Sequence, residues 1–203
     1  MNKGKKFYMV FAMVLLMATP VLAQKSAMVL TFTDGRVLKG YGKLRKQEVK
    51  YRAGKQSKPE YFPIADLAMI RIKLKEDWRE YHKVQIRDRD DSLMLELVEQ
   101  GRVTLYRNSS QGYMPTGAAG VGSVGGAGIS GGQFYSVHQY YLKKAEEAEA
   151  IHIGSNQLFE KNFKEAASTY FAECNTVVQK INSGKYKKKD IKEIVAQYNN
   201  ECK

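Results

Sequence analysis

Residues 28–41 read Met28-Val29-Leu30-Thr31-Phe32-Thr33-Asp34-Gly35-Arg36-Val37-Leu38-Lys39-Gly40-Tyr41. Two β-prone runs flank Asp34-Gly35, and a short Asp-Gly connection between such runs is a strong hairpin signal. The pattern continues down the chain. Glu48–Arg52 alternates again, Ala53–Pro59 reads as its turn, and Tyr61–Ile64 leads to a strand at Ala68–Ile72. Further strands fit His82–Arg87 and Leu93–Val98, and a tight turn at Glu99-Gln100-Gly101 joins the latter to Val103–Arg107. Short strands separated by turns predict an antiparallel sheet or small open β-barrel.

Nine of the 21 residues from Gly112 to Gly132 are glycine, and no charged residue lies between Arg107 and Lys143. Ordering glycine costs the most backbone entropy, so residues 108–133 read as a mobile excursion. Strand character resumes at Phe134–Lys143 and Ala150–Ile153. The excursion is therefore a long hairpin loop within one β-rich domain, residues 24–154.

The period then changes. Leu158, Phe159, Phe163, Ala167, Tyr170, Phe171, Cys174, Val178 and Ile181 recur at three- and four-residue steps, the spacing of one helix face. Asn175 is a candidate interruption and Ser183-Gly184 a stop. Asp190 with Glu193 reads as a capping pair before the stripe Ile191, Ile194, Val195, Tyr198 and Cys202. Residues 155–203 thus read as an α-helical hairpin and the fold class as α+β.

The chain has 203 residues and a formal net charge of +12, which bounds it at one or two domains. Its first 23 residues read as a cleavable leader. Lys3, Lys5 and Lys6 precede the uncharged apolar run Phe7–Met17, and Val21 and Ala23 suit cleavage between Ala23 and Gln24. The apolar stretch falls short of the roughly 20 residues of a membrane span. No Cys follows it, so lipidation of a new N-terminal Cys is excluded. The expected location is the periplasm or the exterior. An even cysteine count in an exported chain reads as one disulfide, Cys174–Cys202. Two isolated cysteines without nearby His cannot supply a closed zinc shell.

The segments "LVEQGRVTLYR", "YYLKK" and "YFAECNTVVQKINSGKYKKKDIKEIVAQYNNEC" resemble an exported family of uncharacterised proteins from Gram-negative bacteria. That family has a leu-val-x-gly-x-x-x-leu-tyr hairpin and a C-terminal Cys…Tyr-Asn-x-x-Cys. The matching positions are Leu97, Val98, Gly101, Leu105, Tyr106, Cys174, Tyr198, Asn199 and Cys202. The likeness covers most of residues 60–202. It implies export and architecture and brings no catalytic residue. The long glycine run departs from the family pattern.

Motifs with chemical meaning give way to plainer readings. Gly120-Val121-Gly122-Ser123-Val124-Gly125 matches a dinucleotide fingerprint, but lacks the preceding strand and following helix that would present a phosphate site. Gly128-Ile129-Ser130-Gly131-Gly132 matches a nucleophile elbow, with only His138 and His152 downstream as bases. Asp88, Asp90, Ser92 and Glu99 imitate a calcium loop, yet Leu93 stands where the loop needs its sharp glycine turn. His82, His138 and His152 share no metal-ligand spacing. No catalytic group, metal or cofactor is expected.

Tyr135, Tyr140 and Tyr141, or Trp78 with Tyr81, would make either an aromatic binding face or cross-strand packing. Lys43, Arg45, Lys46, Lys50, Arg52, Lys55 and Lys58 crowd the early strands, and Lys185 with Lys187–Lys189 forms a second basic cluster. Export argues against nucleic acid. An envelope protein, an acidic glycan or an anionic membrane surface fits such charge. The expected role is a non-enzymatic envelope or surface interaction module. Two alternatives are membrane association through Gly122/Gly126 and Gly128/Gly132 and, more remotely, a small hydrolase using Ser130 with His138.

Overall fold

The computed structural model describes residues 26–115, 132–155 and 163–202. The leader with Ala23 and Gln24, the middle of the glycine run with Ser130, and the apolar pair Leu158-Phe159 lie outside the described residues. The fold is α+β. Among the described residues ten strands form one antiparallel sheet: β1 (Ser26–Phe32), β2 (Val37–Leu44), β3 (Glu48–Arg52), β4 (Glu60–Pro63), β5 (Leu67–Leu74), β6 (Asp77–Gln85), β7 (Ser92–Glu99), β8 (Val103–Pro115), β9 (Gly132–Lys144) and β10 (Ile151–Ser155). In the described residues after them lie the helices α1 (Phe163–Tyr170), α2 (Asn175–Asn182) and α3 (Ile191–Glu201). The strand order is β10-β9-β8-β7-β6-β5-β1-β2-β3-β4, so every neighbour is a chain neighbour except β1 beside β5.

The first hairpin is made where the Asp-Gly pair predicts it. Gly35 takes φ +87°, a conformation that favours glycine. Asp34 accepts hydrogen bonds from the Arg36 backbone N–H (2.9 Å) and the Arg36 guanidinium Nε (2.6 Å). Those two donors, the backbone first, hold the Asp34 carboxyl below its ordinary pKa.

Opposite faces of this single sheet are buried in its two halves. Met28, Leu30, Val49, Tyr51, Ile70 and Ile72 share one face of the N-terminal half and form a buried cluster. In the C-terminal half Val84, Leu95, Tyr106 and Tyr141, from the other face, form a second cluster with Ile86 and Ala150. The sheet therefore bends one way around the first core and the opposite way around the second. The N–H of Ala150 donates to the carbonyl of Gln85, and the N–H of Arg87 donates to the carbonyl of Ala150, each at 2.8 Å. These bonds latch the end of β6 to the start of β10 through the Ile86–Ala150 bridge.

Two glycines permit the tight N-terminal bend. A Cβ at Gly42 would lie 2.1 Å from the Lys50 carbonyl oxygen, and one at Gly40 would lie 2.3 Å from that of Arg52. Strand β2 thus lies closer to β3 than any side chain at these positions allows.

The helices cover the C-terminal half on the face opposite its own core. Val103, Leu105 and Leu142 meet Phe171, Val177, Ile181, Ile194 and Tyr198 there. Among its described residues the helical unit has three helices where the sequence pattern suggests two, because the stripe from Phe163 to Ile181 breaks between Tyr170 and Asn175. Gly184, at φ +75°, stops α2 and sends its N–H to the carbonyl of Ile181 (3.1 Å). Asp190 departs from its expected capping role. Its carboxylate reaches back to the Lys187 N–H at 2.9 Å and makes no side-chain bond into the first turn of α3. That backward bond closes the 3-10 turn Lys188–Asp190 instead.

Candidate anion-binding face and the trough beside it

Between residues 39 and 58 the chain carries eight cations, and Glu48 is the sole acid. Strand register decides where they go. Lys43 lies directly opposite Lys50 across the β2–β3 ladder, and Tyr41 lies opposite Arg52. Tyr61 of the edge strand β4 lies opposite Lys50. Because side chains alternate along a strand, Tyr41, Lys43, Lys50, Arg52 and Tyr61 share the face turned away from the first core. Like charges directly opposed across a ladder destabilise it, so this arrangement is retained at a cost in stability.

The aromatic rings on this face stand among the cations. The Arg45 guanidinium lies 5.5 Å and the Lys50 ammonium 5.8 Å from the centre of the Tyr61 ring, which is 47% exposed. Lys55 stands 5.5 Å from the Tyr41 ring. Glu48, the sole acid of this segment, is held by Arg45 at 2.8 Å.

On the opposite face of the sheet, reached around the β2–β3 turn, runs an open trough of about 1200 Å³. One lip is the β2–β3 turn with Ile64 and Ala65. The other lip comes from β7 and β8. Lys83 donates to the carbonyl of Ala65 (2.8 Å) and ties the two lips at one end. Leu44, Ile72, Leu74, Leu93 and Met94 give the trough an apolar bed.

Glu96 is the acid of its floor and is 7% exposed. Arg107, directly opposite on β8, engages it with one guanidinium nitrogen at 2.8 and 2.9 Å from its two oxygens. Arg79 approaches from β6 at 3.4 Å. Tyr81 sits opposite Glu96 on β6. Burial, and then the Glu96 charge, raise its phenol above the ordinary tyrosine range. The trough is thus lined by six cations, Lys43, Arg45, Lys46, Arg79, Lys83 and Arg107, against Asp91 and Glu96. Asp91 is already paired with Arg89 at 2.8 Å.

The residues singled out in the sequence disperse. Tyr140 and Tyr141 are neighbours on β9 and project to opposite faces. Tyr141 is buried in the second core, 5.2 Å from the His152 ring, and Tyr140 packs against the helix-covered core. Of the two readings open for these rings, packing is the one the structure displays. The backbone of Tyr135 lies in β9 opposite Gly112, and its side chain is outside the described residues. Trp78 and Tyr81 likewise part, Trp78 outward beneath Arg71 (5.4 Å) and Tyr81 into the trough. His138 meets Ser109, whose Oγ is 2.9 Å from Nδ1. Asp88, Asp90 and Asp91 form an exposed turn, and among the described residues no group of three or more His, Cys, Asp or Glu could hold a metal.

Cys174 and Cys202 are joined in a disulfide with their Cα atoms 5.6 Å apart. Among the described residues no helix is long and apolar enough to cross a membrane.

Sequence reasoning passed over Glu96, Arg79 and Arg107. A signal was present, since Glu96 is the lone charge inside Leu93-Met94-Leu95-Glu96-Leu97-Val98, and a charge in an apolar strand requires a partner. Comparison with protein-family models, curated proteins and solved structures finds no match to this chain.

Proposed function

We propose that this protein is exported and acts in the cell envelope as a non-enzymatic interaction module, holding an anionic surface against the outer face of β2, β3 and β4. The observation that carries this reading is Lys43 set directly opposite Lys50 beside the exposed ring of Tyr61. A ladder that keeps two lysines face to face gains when an anion bridges them. A ring flanked by cations suits a headgroup region or an acidic sugar, where one side of the site is wet. The Cys174–Cys202 disulfide supports an oxidising compartment, and the leader-like N-terminus gives the route to it.

Phosphate-bearing headgroups and acidic glycans present the same chemistry to this face. The test separates them. Protein purified from the envelope is offered phosphatidylglycerol vesicles, phosphatidylcholine vesicles and an immobilised polyuronate at two salt concentrations. The expected result is salt-sensitive retention on one anionic surface, none on phosphatidylcholine, and at least tenfold weaker retention of the Lys43→Gln/Lys50→Gln variant. Equal retention on neutral and anionic surfaces would remove the reading.

A further inference from the structure

We infer that the trough holds a single acyl chain of an anionic phospholipid, with the headgroup at the Arg45–Lys46 lip. This rests on the reading that the basic face meets an anionic surface, and it commits that surface to lipid. Three observations carry it.

The bed comes first. Leu44, Leu74, Leu93 and Met94 line the trough while remaining only half-buried. Leu44, Leu74 and Met94 form an apolar strip at the margin of the first core, open on one side, while Leu93 packs against the second core. An extended hydrocarbon chain covers such a strip without needing any hydrogen bond. A glycan or a nucleotide would leave its hydroxyls or phosphates against leucine and methionine, a costly arrangement.

The charge pattern comes second. Bare carboxylates along the walls would repel an anionic ligand, and here both are engaged, Glu96 by Arg107 and Asp91 by Arg89. Of the six cations, Arg79 and Arg107 face Glu96 on the floor and Lys83 is bonded to the Ala65 carbonyl, while Lys43, Arg45 and Lys46 stand together at the turn end and form its cationic lip. Apolar bed and cationic lip together match a molecule with one anionic end and one apolar tail.

Continuity comes third. Arg45, Lys46 and Gln47 line the trough and also a smaller hollow that runs beneath Tyr61 and Pro63 on the basic face. The two hollows lie on opposite faces of the sheet and meet only around this turn, so a headgroup held there stands at the edge between the basic face and the trough. The curl of β2 that raises this lip is the one Gly40 and Gly42 permit.

The test uses the full exported protein, stripped of lipid, titrated calorimetrically with palmitoyl-lysophosphatidylglycerol below its micellar concentration. Glycerol phosphate (head without chain) and hexadecylphosphocholine (chain with a zwitterionic head) are titrated in parallel. The expected outcome is saturable one-to-one binding of the lysolipid, with each of the other two at least tenfold weaker. Met94→Gln should weaken lysolipid binding about tenfold while leaving vesicle adsorption intact. The exposed pair Arg45→Gln/Lys46→Gln, which leaves the cores untouched, should narrow the preference for the lysolipid over hexadecylphosphocholine. Equal affinity for glycerol phosphate and lysolipid would overturn the inference, as would lysolipid uptake without a one-to-one plateau or unaffected by both variants. Vesicle adsorption insensitive to Lys43→Gln/Lys50→Gln would instead remove the parent reading, so the two failures are distinguishable.

Discussion

The side-chain amide of Asn199 pairs with Val103 as a neighbouring strand would. Its Oδ1 accepts from the Val103 N–H and its Nδ2 donates to the Val103 carbonyl, both at 2.9 Å. Val103 is the first residue of β8 and fully buried, and β7 is out of register there because of the irregularity between Leu97 and Glu99. Asn199 therefore satisfies two backbone groups that the sheet itself leaves over. Gly101 makes the approach possible, since a Cβ there would lie 2.3 Å from the Asn199 amide nitrogen. Arg102 adds a hydrogen bond to the carbonyl of Cys202 and stacks 5.4 Å from the Tyr198 ring. Helix α3 is thus keyed to the β7–β8 turn by adjacent residues of each.

Asn199→Ala should cost about 2–3 kcal/mol, the order expected for two hydrogen bonds lost from a buried backbone position. Gly101→Ala should cost a comparable amount by forcing the amide out of place. The double variant should cost little more than Asn199→Ala alone, because with the amide gone the added methyl meets open space. Urea denaturation of the four proteins gives the cycle. Strict additivity of the two losses would refute the keyed contact.

The strands could be read from the sequence because each half-buried segment alternates, and Met28, Leu30 and Phe32 in β1 or Leu95 in β7 are buried as that alternation requires. The helical period was legible for the same reason. What could not be read is the reversal of curvature, since a period of two says which residues share a face and not toward which side that face bends. The candidate site depends on that reversal and on register. Lys43 and Lys50 stand out as basic residues in the sequence, but only the β2–β3 pairing sets them opposite each other. Of the two readings left open for Tyr140 and Tyr141, a shared aromatic face runs against alternation, because adjacent residues on β9 project to opposite sides.

Cys174 precedes α2 and Cys202 follows α3, so their bond closes a segment of sequence separation 28 that contains both helices. Such a cross-link stabilises by about 3 kcal/mol, chiefly by restricting the unfolded chain. The Cys174→Ser/Cys202→Ser variant should unfold at correspondingly lower urea, and the native protein in excess reductant should follow the same curve. Amide exchange should quicken first in α2 and α3, with β1–β5 protected as before. Unchanged protection of the helices after reduction would show the bond to be dispensable.

Glu96, itself buried, neutralises Arg107 and faces Arg79, whose side chains are 25% and 46% exposed. Removing Glu96 takes the partner from a partly desolvated Arg107 guanidinium and leaves Arg79 to solvent. Glu96→Leu should therefore cost about 3 kcal/mol. Combining it with Arg107→Leu should recover much of that loss, since the remaining side chains can pack as an apolar floor. If the double variant is as unstable as Glu96→Leu, the cation is not what makes the single change costly.

The Lys43–Lys50 pair separates folding from binding. Two ammonium groups directly opposed across a ladder repel, and opposite charges in the same positions attract, with a difference of about 1 kcal/mol. Lys43→Glu should thus raise the urea midpoint, the reverse of the usual effect of changing a surface charge. The same substitution places a carboxylate where the anionic surface would sit, and retention on phosphatidylglycerol vesicles or polyuronate should fall at least tenfold. Natural proteins keep a destabilising charge where function needs it, and this variant measures both sides of that exchange in one molecule. A stabilised Lys43→Glu protein that still binds as tightly as the original would mean that this face is not where the anion is held.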